Sequence, residues 1–381
     1  MRTARVRLLA VVCILSVACA PATWDEGDGE PGETPDPGGG DPDPGGTPET
    51  PGTPTPGPED QDGDGYRAAD GDCDDFEANI NPMAIEVAGN TRDDDCDGAT
   101  DEAAEGCDCG GGADLPGSIE LCDSRFLLSW EESYLAPRGS GAGAVVAHYG
   151  SAGNGLGVRA GCSYAVLATG YVGTEHCGGA IEWTDCMESS RQPGLDLYET
   201  WESYCGEDIV EPDPSPEGGD GAPICDTHQL VLRLRAPSNA SGLSFDFIYM
   251  STEYPEWRGE GFNDTFYAVI DRPAAGERRN ISFDDSGAEI EVDNAFFEDP
   301  PTTDLAGTGY DGRCFGEYGG QDPCGSSTGW LRTSWTVTPN EELTLTFSIH
   351  DEGDGIYDSL VILDNFQFHE YPAVGTTDPL N

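Results

Sequence analysis

Seven short stretches in the C-terminal two thirds of the chain alternate apolar and polar residues with a period of two. Successive side chains of a β-strand point to opposite faces, so this alternation predicts strands that bury one face in a core. Gly, Pro, Asn and Asp separate the stretches, which is typical of an antiparallel β-sandwich. We therefore predict an all-β, jelly-roll-like sandwich over residues 115–371, with an exposed insertion at 211–222 and a tail at 372–381. The predicted strands are 229–235, 243–249, 265–270, 288–292, 331–337, 343–349 and 359–363.

The first 18 residues have the pattern of a secretory signal peptide. Three arginines precede an apolar run at residues 8–18, which is too short to cross a bilayer as a helix. The run ends Leu-Ser-Val-Ala-Cys at residues 15–19, which resembles the bacterial lipobox, where the cysteine is diacylated. The resemblance implies that Cys19 carries a lipid and anchors an exported protein to the cell envelope, with the outer membrane surface favoured. Ordinary signal cleavage is the alternative.

The segment that follows, residues 19–58, is predicted to be a disordered tether. Within residues 27–58, 20 of 32 residues are Gly or Pro, and nearly all the others are Asp, Glu or Thr. Such a composition cannot bury apolar surface, and its like charges favour extended chains. The tether would hold the sandwich away from the membrane.

The charge balance excludes most nucleic-acid-binding proteins. The chain has 17 basic and 73 acidic residues, so 17 − 73 gives a net charge of −56. Nucleic-acid binding requires clustered basic side chains that contact phosphates. The apolar fraction of 36% is low, yet 7 Trp, 14 Tyr and 13 Phe are enough for one core.

The cysteine content favours disulfides. The chain has 14 cysteines, and twelve remain once those in the signal peptide and at the lipidated position are set aside. An exported chain meets an oxidising environment, so up to six disulfides are predicted. The candidate pairs are Cys73 with Cys96, which flank an acidic module, and Cys314 with Cys324, which lie in one Gly-rich loop. Metal binding by thiolates is the alternative for the Cys-Asp-Cys motif at residues 107–109.

The acidic module, residues 59–109, carries carboxylates at every second position. Asp60, Asp62 and Asp64 are followed by Gly65, as in positions 1, 3, 5 and 6 of an EF-hand loop, but position 12 is Gly71 instead of Glu. A second copy of the spacing begins at Asp93. The predicted metal ligands are Asp60, Asp62, Asp64, Tyr66 through its carbonyl group, Asp72, Asp74, Asp75, Asp93, Asp95, Asp97, Asp101 and Glu102.

The ligand chemistry of this module favours calcium. Clustered carboxylates repel each other unless a cation neutralises them. Hard oxygen ligands suit calcium better than copper or zinc. Copper is the alternative, and it would make the protein a metal scavenger.

The module also resembles a metal-binding motif of exported bacterial proteins that is named after a copper-binding surface protein. Four blocks carry the resemblance, in order and with their cysteines, at residues 62–66, 71–75, 81–86 and 93–102. The family implies a bound metal.

The C-terminal domain resembles the choice-of-anchor L domain of bacterial exported proteins. The matching blocks are residues 251–255, 261–266, 329–330, 351–359 and 363–365. The family implies a surface-exposed β-sandwich without an established catalytic activity. Independently of the family, loop carboxylates at strand ends could form a second metal site, or be solvated turn residues. These are Glu253, Asp264, Asp351, Asp354 and Asp358.

The sequence does not favour an enzyme. It contains no GxSxG elbow, HExxH motif, P-loop or dinucleotide fingerprint. A carboxylate-based hydrolase is the remaining catalytic alternative. We predict a surface lipoprotein whose calcium-stabilised module presents the sandwich for adhesion, to a polysaccharide or another cell-surface ligand.

Overall fold

The structure, a computed structural model, describes most of the chain beyond residue 58. The described residues are 59–102, 107, 114–135, 145–148, 156–169, 215–216, 224–255, 257–298, 302–305, 310, 325–353 and 359–380. All of them belong to one compact unit. The predicted signal peptide, the lipidation site Cys19, the tether, Cys314 and Cys324 lie outside the described residues.

Two antiparallel sheets form a sandwich, and the described residues contain no α-helix, so the predicted fold class is confirmed. Two short 3₁₀ turns, Ala68–Asp70 and Gly117–Ile119, precede the strands. The strands are β1 (Leu127–Leu135), β2 (Val145–His148), β3 (Ser163–Ala168), β4 (Ile224–Arg235), β5 (Gly242–Ser251), β6 (Thr265–Arg272), β7 (Glu277–Asn280), β8 (Ile290–Glu291), β9 (Ser326–Ser327), β10 (Leu331–Thr336), β11 (Glu342–Glu352), β12 (Ser359–His369) and β13 (Thr376–Pro379).

The strand order shows which strands lie at the sheet edges. The first sheet has the order β1-β4-β11-β6-β7, and β8 also pairs with β6. The second sheet has the order β13-β10-β5-β12-β3-β2, and β9 also pairs with β5. Among the described strands, the edges are therefore β1 and β7 in the first sheet, and β13 and β2 in the second.

The main core lies between the sheets and follows the predicted alternation. On β5, Phe245 and Phe247 face inward, and on β11 Phe347 does the same. The rings of Phe245 and Phe347 meet edge to face with centroids 4.8 Å apart, which adds a specific aromatic contact to the burial. These three phenylalanines are at most about 1% exposed, so the alternation marks the buried face correctly.

A second apolar cluster covers the outer face of the second sheet. Ile248 and Met250 of β5 and Ile362 of β12 point away from the main core and pack with Tyr164 and Leu156. Every residue of β5 is consequently buried. A strand that is buried on both faces loses the polar positions that normally show alternation.

Some elements differ from the sequence prediction. Six of the seven predicted stretches fall in β4, β5, β6, β10, β11 and β12, and the seventh, 288–292, contains only the two-residue β8. Strand β13 pairs with β10 inside the segment assigned to a tail. The sequence predicts that the insertion at 211–222 is exposed, but Ser215 is buried, and its side chain hydrogen-bonds to that of Tyr267.

A buried carboxylate, Asp246 of β5, is neutralised by arginines on the outer side of the second sheet. Arg332 donates to both its oxygens, at 2.6 and 2.9 Å, in the bidentate geometry that guanidinium favours. Arg159 lies 3.4 Å from Oδ2, and the amide of Asn365 donates to the same oxygen at 3.0 Å. The carboxylate is fully buried, so these partners are what makes its charge tolerable.

Next to this network, Glu120 and Asp364 form a carboxyl pair. Their side chains hydrogen-bond to each other, which requires that one of them holds a proton. The backbone N–H of Asn365 donates to Glu120 Oε2 (3.0 Å), and that of Arg159 donates to Asp364 Oδ2 (2.6 Å). Burial, together with the Asp364 charge, raises the pKa of Glu120 to about 8, and burial raises the pKa of Asp364 to about 6. The pair therefore keeps a proton near neutral pH.

Candidate metal centre

The first carboxylate loop brings Asp60, Asp62 and Asp64 together. One oxygen of each lies within 4.8 Å of an oxygen of the other two. Asp60 accepts the backbone N–H groups of Gly63 (2.6 Å) and Gly65 (3.0 Å), which turns the chain around the carboxylate and lowers the pKa of Asp60. Gly65 has φ +100°, a conformation that side chains disfavour. The glycine at the sixth position therefore closes the loop, as its spacing predicts.

Asp72 approaches this loop from the next turn. Its side chain is only 4% exposed, and its Oδ2 has no hydrogen-bond partner; the same holds for Oδ2 of Asp62. Burial raises the pKa of Asp72, and so do the charges of Asp64, Asp62 and Asp75. Burial likewise raises the pKa of Asp62. Buried, unpartnered carboxylate oxygens next to other carboxylates are costly unless a cation satisfies them, so this donor set fits a hard metal ion.

The second loop repeats the geometry of the first. Asp93, Asp95 and Asp97 have oxygens within 4.8 Å of one another. The backbone N–H of Gly98 donates to Asp93 Oδ2 (3.0 Å), as that of Gly65 does to Asp60, and Gly98 has φ +98°. Because the two loops share spacing, glycine position and hydrogen bonding, the internal repeat seen in the sequence is also a structural repeat.

Glu86 joins the second loop, although sequence reasoning did not assign it as a ligand. Glu86, Asp95 and Glu102 form another group of carboxylates with oxygens within 4.8 Å. Glu86 also accepts the backbone N–H groups of Asp94 (3.0 Å) and Asp101 (2.9 Å), so it organises the loop. Its place at the end of the motif block 81–86 was the available signal, but it lies outside the alternating Asp pattern.

The second loop also contains carboxylate oxygens without hydrogen-bond partners, Asp93 Oδ1 and Glu102 Oε2. The backbone N–H of Glu102 lowers the pKa of its own carboxyl, but desolvation and the charges of Glu86, Asp97 and Asp95 outweigh it, so the pKa is raised. This loop fits a hard cation for the same reason as the first. The grouped ligands of both loops are carboxylates, so the donors that these groups offer are oxygens.

The remaining predicted ligands are placed around the loops, outside the three-carboxylate groups of the described residues. Asp75 accepts the backbone N–H of Gln61 (3.3 Å). Asp101 accepts that of Gly89 (2.6 Å). The N–H groups of Tyr66 and Asp74 donate to Asp64 (2.7 Å) and Asp72 (2.9 Å), respectively. Only the hydrogen bond from Tyr66 reaches a grouped carboxylate, that of Asp64, and the others orient carboxylates next to the groups.

A disulfide between Cys73 and Cys96 joins the two loops, as predicted. A second disulfide, between Cys107 and Cys122, fastens the end of the module to the segment before β1. Cys107 is therefore no thiolate ligand, and the alternative for the Cys-Asp-Cys motif is wrong for this residue because its sulfur is already bonded. Cys162 is also disulfide-bonded.

The second candidate metal site is only partly within the described residues. Glu253, Asp264 and Asp351 are each at most 2% exposed, so they are not solvated turn residues. Asp264 accepts the hydroxyl of Ser359 (2.6 Å). Desolvation raises the pKa of the buried Tyr249, and the charges of Asp264, Glu253 and Asp351 raise it further. Asp354 and Asp358 lie outside the described residues.

The acidic module docks on the turn between β4 and β5 through residues 81–85, which we call the docking segment. The backbone N–H of Ser238 donates to the carbonyl of Met83 (2.8 Å). The side-chain amide of Asn239 accepts a hydrogen bond from the backbone N–H of Ile85 (2.9 Å) and donates one to the carbonyl group of the same residue (2.8 Å). Ala84 is fully buried at this contact. The module is thus held against the sandwich by paired, largely buried hydrogen bonds.

Comparison with known families gives two matches in the order that the resemblances indicate. Residues 72–102 match the family described as "Putative metal-binding motif", of the copper-binding MopE type, and residues 224–369 match the Choice-of-anchor L domain. Both families are non-catalytic kinds, and together they indicate a surface-associated protein with a metal-binding module. A comparison with curated proteins gives no match. None of the described residues lies in a helix long and apolar enough to span a membrane.

Proposed function

We propose that this protein is a lipid-anchored, outer-membrane surface protein in which calcium stabilises the acidic module and the module presents the β-sandwich for adhesion. Three features support the proposal. They are the lipobox-like sequence ending at Cys19, the paired carboxylate loops, and the match to a domain family of exported proteins. The ligand we propose for the sandwich is a polysaccharide or another cell-surface molecule.

The observation that carries the calcium assignment is the set of carboxylate oxygens without hydrogen-bond partners in both loops. They belong to Asp62 and Asp72 in the first loop, and to Asp93 and Glu102 in the second. Calcium binds six to eight oxygens from carboxylates, carbonyls and water. When bound, calcium supplies the positive charge that lets these carboxylates lie close together. The chain's own contribution is the orientation of the carboxylates by glycine N–H groups and the linkage of the loops by the Cys73–Cys96 disulfide.

Metal content and proteolysis together test this assignment. We expect at least two calcium ions per chain by mass spectrometry after dialysis against a mixture of calcium and copper. Replacing Asp62 and Asp95 by alanine should make residues 60–102 sensitive to protease while the sandwich stays folded. The exposed pair Asp70→Ala with Asp285→Ala is the matched control, and it should digest at the wild-type rate. If the Asp62→Ala/Asp95→Ala protein is as resistant as wild type, the ligand assignment is wrong.

Copper scavenging is the second candidate function, because the matching motif family is of a copper-binding type. It predicts about one retained copper per chain in the same dialysis experiment, in place of calcium. The carboxylate oxygens that form the ligand groups of both loops favour calcium over this outcome.

The lipid anchor has its own test. Cys19→Ser should release the protein from the membrane fraction of the producing cell, because no other anchor is proposed. A surface label that reacts with intact cells should modify the wild-type protein, and failure to do so would contradict surface display.

A further inference from the structure

We propose that two contact relays, one through Asn81 and Ser238 and one through Arg125, couple ion binding in the carboxylate loops to the stability of the sandwich. The inference rests on the proposed function, because it takes calcium as the ion that binds the loops. It goes beyond that function by assigning positioning roles to side chains that are not ligands.

The first relay leads from the first loop to the turn between β4 and β5. Asn81 is fully buried, and its side-chain amide donates to Asp64 Oδ2 at 2.8 Å. The other end of the same side chain, Oδ1, accepts the hydroxyl of Ser238 at 2.7 Å. One buried amide therefore contacts a carboxylate of the ion-binding group and a sandwich residue at the same time. A displacement of Asp64 therefore acts on the same side chain that contacts Ser238.

The second relay leads from the second loop to the start of β1. Arg125 lies 3.1 Å from Oδ2 of Asp95, the carboxylate shared by both groups of that loop. The same guanidinium donates to the carbonyl of Pro82 (3.0 Å) and pairs with Asp123 at 2.7 Å. Arg125 is two residues before β1 and packs over Phe126. A single side chain thus connects a carboxylate of the second loop, the docking segment and the first strand of the sandwich.

The two relays meet on the docking segment, so the loops and the sandwich share one set of contacts. Each carboxylate oxygen has two lone pairs, so Asp64 and Asp95 can keep these hydrogen bonds while they bind an ion. Without the ion, the carboxylates of each loop repel one another, and the residues that contact Asn81 and Arg125 lose their fixed positions. Calcium should therefore stabilise the sandwich as well as the module, and by linkage a folded sandwich should tighten calcium binding.

The test is thermal unfolding of the full chain, with and without saturating calcium, followed by tryptophan fluorescence. Residues 59–102 contain no tryptophan, so this signal does not come from the module. The variants are Ser238→Ala, which removes only the sandwich end of the first relay, and Arg125→Met, which removes the second. The control is Ser282→Ala, since Ser282 is also buried and its hydroxyl contacts Thr333 (2.9 Å) inside the sandwich. Calcium content is measured in parallel by mass spectrometry.

We expect calcium to raise the melting temperature of the wild-type sandwich, and either relay variant to lose at least half of that rise while it keeps the wild-type calcium content. The Ser282→Ala protein should have a lower melting temperature than wild type both with and without calcium. Calcium should still raise its melting temperature by the full wild-type amount. Arg125→Met removes a positive charge next to Asp95, and this removal favours cation binding. Weaker calcium binding would therefore not explain a smaller rise in the melting temperature of this variant. If calcium raises the melting temperature of both relay variants by the full wild-type amount, at unchanged calcium content, the proposed coupling is wrong while the proposed function still stands. Absence of calcium from the wild-type protein overturns the proposed function and the coupling with it.

Discussion

The carboxyl pair of Glu120 and Asp364 predicts that the sandwich loses stability as the pH rises towards about 8. In the folded protein the pKa of Glu120 is raised from 4.5 to about 8 by burial and by the neighbouring Asp364 charge. The unfolded chain therefore loses this proton at a pH where the folded chain still holds it. The stabilisation is complete below about pH 4.5 and decreases as the pH rises through the interval up to about 8.

The perturbation is Glu120→Gln, because the amide can donate to Asp364 at every pH and so imitates the protonated carboxyl. One proton retained on folding makes the free energy of unfolding fall by about 1.4 kcal/mol per pH unit. Glu120 is partly exposed, so solvent screening reduces the total, and we expect the wild type to lose about 2 kcal/mol relative to the variant between about pH 5 and 8. The neighbouring charges of Asp246, Arg332 and Arg159 are the same in both proteins.

The assay is urea unfolding followed by tryptophan fluorescence at several pH values and constant calcium. Carboxylates that do not contact Glu120 are common to both proteins, so their titration cancels, and the difference reports the coupled titration of Glu120 and Asp364. Glu342→Gln is the control. Glu342 is paired with Arg235 (2.7 Å) on the surface, and that partner lowers its pKa, so the control should run parallel to wild type above about pH 5. A difference between wild type and Glu120→Gln that stays constant from pH 5 to 8 would refute the shared proton.

Three further outcomes follow from the packing and the cross-links. Phe347→Ala removes a fully buried ring between the sheets and should cost about 3 to 5 kcal/mol in urea unfolding, while an unchanged midpoint would contradict its core position. Replacing both Cys73 and Cys96 by serine opens a disulfide with a sequence separation of 23 and should lower the stability of the module by about 3 kcal/mol. Hydrogen exchange should then become faster in residues 60–102, with a smaller effect in β11. Gly161→Ala places a Cβ against Glu120 Oε1 at a backbone φ of +55°, so it should cost about 1 to 3 kcal/mol at pH 7 in urea unfolding. A neutral effect would contradict the strained backbone at this position as well as the close contact with Glu120.

The fold was predictable where one face of a strand is buried and the other is polar. Strands β4 and β11 fulfil this condition, so their period-two pattern was decisive. Strand β7, with the sequence Glu-Arg-Arg-Asn, has almost no apolar residue, because it lies at an edge and depends on β6 for pairing. Strand β13 was missed for the same reason. Local patterns report burial, whereas edge strands are defined by a partner that is distant in sequence.

The candidate metal centre was predictable to the extent that its ligands are adjacent in sequence. The alternating Asp residues and the glycine at the sixth position specify each loop locally, and both loops have the expected shape. Glu86 reaches Asp95 and Glu102 only through tertiary folding, so no local spacing marks it. The contact of Asn81 with Ser238 spans 157 residues and was equally invisible. Local motifs predicted the loops, but the packing of the module on the sandwich determines which further residues join them.

The edge strands have a consequence for proteins crowded on one surface. An exposed edge offers unpaired backbone groups to the edge of a neighbouring molecule, which is a route to aggregation. Here β1 carries Glu131 and Glu132, β7 carries two arginines, and β13 ends in Asp378 and Pro379, which has no N–H to donate. These three edges therefore discourage strand pairing between copies. At these three edges, molecules packed side by side at high density would each keep their own strand pairing.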